Sequence, residues 1–231
     1  MTLKQIATFH SPFTSKFGIP RQSGVVPQLT GTIVFEPEYR SPDFIRGLEE
    51  FDYLWILWLF SANAPSRPGA TVRPPLLGGN RSLGVFATRS PYRPNPVGLS
   101  SVRIDSICHD TPQGPVIQVS GADLMDGTPI VDIKPYLEYA DSHQHIRSGF
   151  TDSHDWPVLK VVIPESIRSS HDPSFLKVVT QILSQDPRPH YHHDASRIYG
   201  MPYDGFEIRF QVDGDVLTVQ EIEKSSSINK S

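Results

Sequence analysis

Residues 84–100 read Gly84-Val85-Phe86-Ala87-Thr88-Arg89-Ser90-Pro91-Tyr92-Arg93-Pro94-Asn95-Pro96-Val97-Gly98-Leu99-Ser100. Apolar runs flank this stretch: 83–87 reads as one strand and 102–107 as another. Between them, three prolines fix φ and each removes a backbone donor, so the connection is a stiff loop and not a helix. Arg89, Arg93 and Asn95 therefore project from a backbone whose shape is set locally. Fork-shaped donors on a rigid loop suit an anionic or planar polar ligand.

Outward from this loop the same grammar recurs. Strand-like segments fall at 6–9, 31–35, 53–60, 101–108 and 115–120, with a short seventh at 130–133, separated by Pro, Gly, Ser, Asp and Asn clusters. That spacing predicts a β-barrel or sandwich interrupted by one short helix over 44–50, which opens at Ser41-Pro42. After Tyr136 the pattern changes. A linker covers about 140–155, then a strand at 159–163, a helix over 173–185 capped by Ser-His-Asp-Pro, and a hairpin of 206–212 and 216–223 around Asp213-Gly214. The expected fold class is mainly β: an N-terminal β-barrel with a short helix over residues 1–145, and a small α+β domain over 155–231.

Composition excludes several classes. The chain has 231 residues, 38% hydrophobic and 20% charged, with a net charge of -4. An acidic balance argues against a protein held on nucleic acid by bulk positive charge, so any RNA contact must be a local basic surface. The single cysteine, Cys108, leaves no internal disulfide and fits a reducing, cytoplasmic setting; in a strand it reads as a small buried residue. The longest apolar run, 53–60, is too short to span a bilayer and reads as a buried strand. There is no G-x-G-x-x-G, no Walker A run, no H-E-x-x-H and no G-x-S-x-G. His190-Tyr191-His192-His193-Asp194 has alternating histidines but no clear fourth ligand from a rigid element, so no metal is expected.

Polar clusters sit at the ends of the expected strands: Pro20-Arg21-Gln22, Val72-Arg73-Pro74-Pro75, Gly78-Gly79-Asn80, Asp126-Gly127-Thr128-Pro129, and Asp132-Ile133-Lys134-Pro135-Tyr136. Strands closing into a barrel would bring such loops to a common rim. Together with Leu54-Trp55-Ile56-Leu57, the 84–100 run and Gln185-Asp186-Pro187-Arg188-Pro189, these motifs resemble the TrmO (TsaA-like) family over about residues 3–222. The resemblance implies a homodimeric β-barrel methyltransferase using S-adenosylmethionine. Its implied substrate is N6-threonylcarbamoyladenosine at position 37 of certain tRNAs, so the partner is a tRNA anticodon stem-loop. It implies cofactor contacts from Pro20, Arg21, Gln22, Arg89, Leu99 and the loop Asp123, Leu124, Met125, Asp126. Where relatives often carry a His-Gln pair, this chain has Ser61 and Ala62, a departure that removes a side-chain contact and leaves a backbone one.

In chemical terms, arginine suits the cofactor carboxylate and aspartate its ammonium or ribose hydroxyls, while Leu99 and Met125 suit the adenine. The methyl acceptor is a weakly nucleophilic nitrogen that must lose a proton; Asp126, Asp132, Lys134 and Tyr136 are the candidates to take it. Arg93, Asn95 and Arg188 are the expected substrate contacts, with His190, His192, His193 and Arg197 adding local positive charge. Arg188 also has a purely structural reading, paired with a carboxylate. The alternative function is a non-catalytic S-adenosylmethionine-sensing or RNA-binding module.

Overall fold

The computed structural model describes residues 2–63, 69–79, 81–154, 158–188 and 194–225. It contains two compact units whose boundaries do not follow the chain. The first holds residues 1–10, 22–123 and 127–156; the second holds 11–21, 124–126 and 157–231.

The first unit is a barrel. Its strands are β1 (Ala7–His10), β2 (Thr30–Phe35), β3 (Tyr53–Leu59), β6 (Val97–Cys108), β7 (Val116–Ser120) and β8 (Thr128–Pro135), closed in the order β1-β2-β7-β6-β3-β8. All pairings are antiparallel. A separate two-stranded ribbon, β4 (Thr71–Val72) with β5 (Leu83–Gly84), branches from it. Alternation fills the interior: Phe9, Ile33, Leu54, Ile56, Ile117, Val119 and Ile130 are fully buried. On β3 the buried residues Leu54, Ile56 and Trp58 alternate with half-buried or exposed Tyr53, Trp55, Leu57 and Leu59. The 53–60 run is thus one buried face and one apolar outer face, not a strand buried on both sides.

A bulge on β8 decides what lies outside. Trp58 pairs with Ile130 but Leu57 pairs with Asp132, leaving Val131 as the extra residue. Strict alternation would put Ile130, Asp132 and Lys134 on one face; the bulge inverts the parity. Ile130 and Ile133 then both stand opposite inward-facing partners, Trp58 and Ile56, and Asp132 and Lys134 turn outward.

Three expectations fail here. The helix over 44–50 is two single 3-10 turns, Pro42–Phe44 and Leu48–Glu50, because Gly47 takes φ 86 between them and stops the helical path. The strand over 83–87 survives only as Leu83–Gly84; Val85–Ala87 is a 3-10 turn, and the barrel strand begins at Val97, directly after the last proline of the loop. Cys108 is exposed, being the last residue of β6 where the strand leaves the barrel.

The second unit is a four-stranded sheet in the order β10-β11-β12-β9, with β9 (Lys160–Val162) parallel to β12 (Val216–Lys224) and the rest antiparallel. Strands β10 (Ile198–Tyr203) and β11 (Phe206–Asp213) form a hairpin, and β10 was invisible to the strand pattern because Gly200 and Pro202 interrupt its apolar alternation. Single helical turns α1 (Glu138–Asp141), in the first unit, and α2 (Glu165–Arg168) precede the main helix α3 (Pro173–Ser184). Asp172 caps α3, its Oδ1 accepting from the N–H of Ser174 at 2.8 Å and of Phe175 at 3.1 Å. The buried face of α3 is Leu176, Val179, Ile182 and Leu183. Residues 11–21 complete this core: the Phe13 ring meets Tyr203 and Phe17 stacks on Phe210. Among the described residues no helix is long and apolar enough to cross a membrane.

Candidate functional site

β6 outruns its neighbour. Pairing with β7 begins only at Arg103 opposite Ser120, so residues 97–102 are laddered to β3 alone. Loops fill the vacated edge. The Ser101 N–H donates to Ser23 Oγ at 3.2 Å, and the Gly24 N–H to the Gly121 carbonyl at 2.8 Å. Asp123, two residues beyond Gly121, is thereby brought against β6.

There a directed hydrogen-bond chain forms. Trp58 Nε1–H donates to Ser100 Oγ at 2.9 Å, and Ser100 Oγ lies 2.5 Å from Asp123 Oδ1. An indole can only donate, so the serine oxygen accepts from it and spends its own proton on the carboxylate. Ser100 is fully buried and Trp58 nearly so. The indole lies flat over Gly98, the residue directly opposite it; a Cβ there would stand 2.2 Å from the ring. Burial pushes the Asp123 carboxyl above its ordinary value, while the Ser100 bond, backbone N–H groups and the charge of Arg89 pull the other way. Arg89 is exposed and donates to Gln22 Oε1. Gln22 is neutral, so the guanidinium charge remains free to act on Asp123 and on an anionic ligand group.

The expected site residues separate into groups. Gln22, Arg89 and Asp123 come together as described. Leu99 is on the outer face of β6, 52% exposed and opposite Leu57. Ser61 and Ala62 form an exposed turn, with the Ser61 N–H bonded to the Leu59 carbonyl at 2.8 Å. Pro20, Arg21, Leu124, Met125 and Asp126 belong to the second unit. In that unit Arg21 Nη2 donates to the Asp186 carbonyl at 3.0 Å, and burial lowers its pKa. Asp126 Oδ1 accepts from the Ser11 N–H at 3.2 Å.

Asp132, Lys134 and Tyr136 gather on the outer face of β8. Lys134 Nζ is 2.8 Å from Asp132 Oδ2, and the Tyr136 ring packs 5.6 Å from that of Trp55. The Leu137 N–H donates to Asp141 Oδ2 at 2.8 Å and Trp55 Nε1 donates to it at 3.0 Å, and the two, the Leu137 bond first, hold the Asp141 carboxyl below its usual range. Arg93 Nη1 donates to the Thr88 carbonyl at 3.1 Å and closes the proline loop on itself; Asn95 is exposed. Arg188 is committed to Asp186, with Nε to Oδ1 at 2.8 Å and Nη2 to Oδ2 at 3.0 Å, and the two side chains are 14% and 10% exposed. Arg197 lies over the Tyr199 ring. His190, His192 and His193 lie outside the described residues. Among the described residues no group of three His, Cys, Asp or Glu side chains is gathered to hold a metal.

Sequence reading missed Trp58, Ser100 and Ser23. A signal existed for the first two. Alternation puts Trp58 on the inner face with Leu54 and Ile56, and a buried indole N–H demands an acceptor from a neighbouring strand.

The comparisons with known proteins agree with this architecture. A family model described as the tRNA-methyltransferase O N-terminal domain matches residues 8–142, and one described as the TrmO C-terminal domain matches 162–225. The tRNA (adenine(37)-N6)-methyltransferase of Escherichia coli is 36% identical over 218 residues, 90% of this chain and 92% of that protein. A Pseudomonas aeruginosa protein named "Putative S-adenosylmethionine-dependent methyltransferase RcsF" is 37% identical over 207 residues, 87% of each chain. The crystal structure of TrmO from Pseudomonas aeruginosa superposes with a TM-score of 0.74 at 30% identity, covering 96% of this chain and 98% of that one. Matched by family models over both halves, and by relatives and a solved structure across most of its length, the chain belongs to the tRNA-methyltransferase O family.

Proposed function

We propose that this protein is a cytoplasmic methyltransferase that moves a methyl group from S-adenosylmethionine to N6 of adenine 37 in tRNA, with the N6-threonylcarbamoyl base as acceptor. The observation that carries the reading is the Arg89 charge acting on Asp123 beside the stretch of β6 that has no β7 partner, in a chain of this family. A cation and a half-buried carboxylate complement the carboxylate and ammonium of an amino-acid moiety, so the residues present fit the cofactor. Arg89 binds the carboxylate. Asp123, with Oδ1 held by Ser100, accepts from the ammonium or the ribose hydroxyls. Leu99 offers an exposed apolar surface to the adenine.

The cofactor supplies an already activated methyl group, so the chain's task is alignment and proton removal. As the N6–methyl bond forms and the sulfur–methyl bond breaks, the proton on N6 must leave. Among Asp132, Lys134 and Tyr136, an ammonium paired to a carboxylate has no lone pair, so Lys134 serves as an orienting charge and Asp132 or Tyr136 takes the proton. The outer face of β3 and β6, with Trp55, Leu57, Leu59 and Leu99, is apolar and fits a second copy of the chain, which supports a homodimer.

The test is mass spectrometry of anticodon-loop nucleosides. tRNA from cells lacking the protein is incubated with the purified chain and S-adenosylmethionine. The expected product is the threonylcarbamoyl adenosine heavier by one methyl group. Cofactor binding without any such product would leave the sensing-module reading in its place.

A further inference from the structure

We propose that residues 71–79 and 81–95 form the surface that grips the anticodon loop, with Phe86 and Tyr92 as stacking platforms for unstacked bases and Arg73 and Arg81 as phosphate contacts. This rests on the tRNA reading above and assigns the surface that serves it.

Charge is the first argument. Residues 53–104 carry six of the 21 Lys and Arg residues and none of the 25 Asp and Glu residues. The chain as a whole is negative, so this uninterrupted cationic stretch is where a polyanion meets no opposing carboxylate from the segment itself. Arg103 is spoken for by Asp105 at 2.7 Å. Arg73 and Arg81 are exposed, and among the described residues neither pairs with a carboxylate.

Backbone geometry supplies the second. In the β4–β5 ribbon Val72 stands opposite Leu83, so Arg73 and Arg81 leave the ribbon at the same end. The Val85 N–H extends the ribbon by bonding to the Ala70 carbonyl at 3.0 Å. The 3-10 turn that follows presents Phe86 with 78% of its surface exposed. Tyr92, 51% exposed, is on the turn tied back to Thr88 by Arg93.

Phe86 follows one end of the ribbon and Arg73 and Arg81 leave the other, so one segment offers exposed aromatics and separate cations, the combination that binds single-stranded RNA because every base has a stackable face. The chemistry also requires it. N6 of adenine 37 is reached only when the base leaves its stack, and the opened loop then needs surfaces to rest on. A second copy of this chain fits the same surface poorly, since a two-fold contact centred here would set arginine against arginine.

The experiment uses the full chain and a tRNA carrying threonylcarbamoyl adenosine, with affinity read by fluorescence anisotropy between about 50 and 200 mM salt. Arg73→Gln with Arg81→Gln should lower the salt slope by about 1.5 to 2 units. Phe86→Ala and Tyr92→Ala should each weaken binding about tenfold with the slope unchanged, and Phe86→Trp should restore it. S-adenosylmethionine affinity should stay at the wild-type value in all of these variants. If the wild-type chain binds and methylates the tRNA but the variants keep its affinity and slope, this surface is wrong and the function stands. If the variants instead lose self-association, the surface belongs to a subunit contact and the proposal falls. A wild-type chain that neither binds nor methylates the tRNA overturns the function itself.

Discussion

Asp123 concentrates the residue-scale physics. Its carboxyl is raised chiefly by burial, so the native state holds its proton to higher pH than the unfolded chain does. Between the two pKa values the folded state binds more protons, and stability falls as pH rises through that window. Asp123→Asn removes the buried charge and keeps an acceptor for Ser100. It should raise the Tm at neutral pH, with the gain over the wild type vanishing in acid. The same change should weaken S-adenosylmethionine binding by about 1.5–3 kcal/mol, the usual worth of a charged hydrogen bond. Ser100→Ala tests the hydrogen-bond chain. Losing that donor pushes the Asp123 pKa further up, so the acid limb of the cofactor-affinity profile should move to higher pH, and Ser100→Thr should move it back. Calorimetric titration across pH reads both; an unmoved limb in Ser100→Ala would mean that Asp123 does not contact the cofactor.

At the scale of elements, the turn leaving α3 turns a sequence motif into a structural device. Asp186 adopts φ 47, its carbonyl accepts from Arg21, and its carboxylate binds Arg188 in a fork. A guanidinium already neutralised at two points has little charge left for phosphate. Arg188→Ala should therefore cost about 3 kcal/mol of stability by stranding Asp186, and leave the salt slope of tRNA binding unchanged. Chemical denaturation and salt-series binding measure the two separately; a lowered slope at unchanged stability would restore Arg188 as a substrate contact. The bulge at Val131 is the other decisive element-scale feature. Alternation read from the chain could not reveal it, because a bulge is specified by pairing with β3 and leaves no residue-type mark.

For the whole molecule, the question is what covers the outer face of β3. Trp55, Leu57 and Leu59 alternate with the core residues, and Leu57 stands in register with exposed Leu99 on one side and Asp132 on the other. An apolar stripe next to candidate catalytic side chains suits a subunit contact that also shields the reaction from water. Leu57→Asp should raise the dimer dissociation constant about 100-fold or more while the barrel stays folded, as sedimentation and circular dichroism would record. A wild-type chain that sediments as a monomer while retaining full activity would remove the dimer from the mechanism.

By itself the sequence determined the mainly β class, the barrel followed by an α+β unit, and the family, because turn residues, alternation and the 84–100 motif are local properties of the chain. It also pointed to Arg89 and Asp123 through that resemblance. It misjudged the 44–50 segment, where apolar spacing suggested a helix and one left-handed glycine allowed only isolated turns. Only the tertiary structure decided that residues 11–21 and 124–126 belong with the C-terminal sheet. It alone turned Asp132 and Lys134 outward and set Trp58, Ser100 and Asp123 in one directed chain. The physical reason is common to all three: each depends on contacts between residues far apart in sequence, ring packing for 11–21 and strand pairing and its limits for the other two.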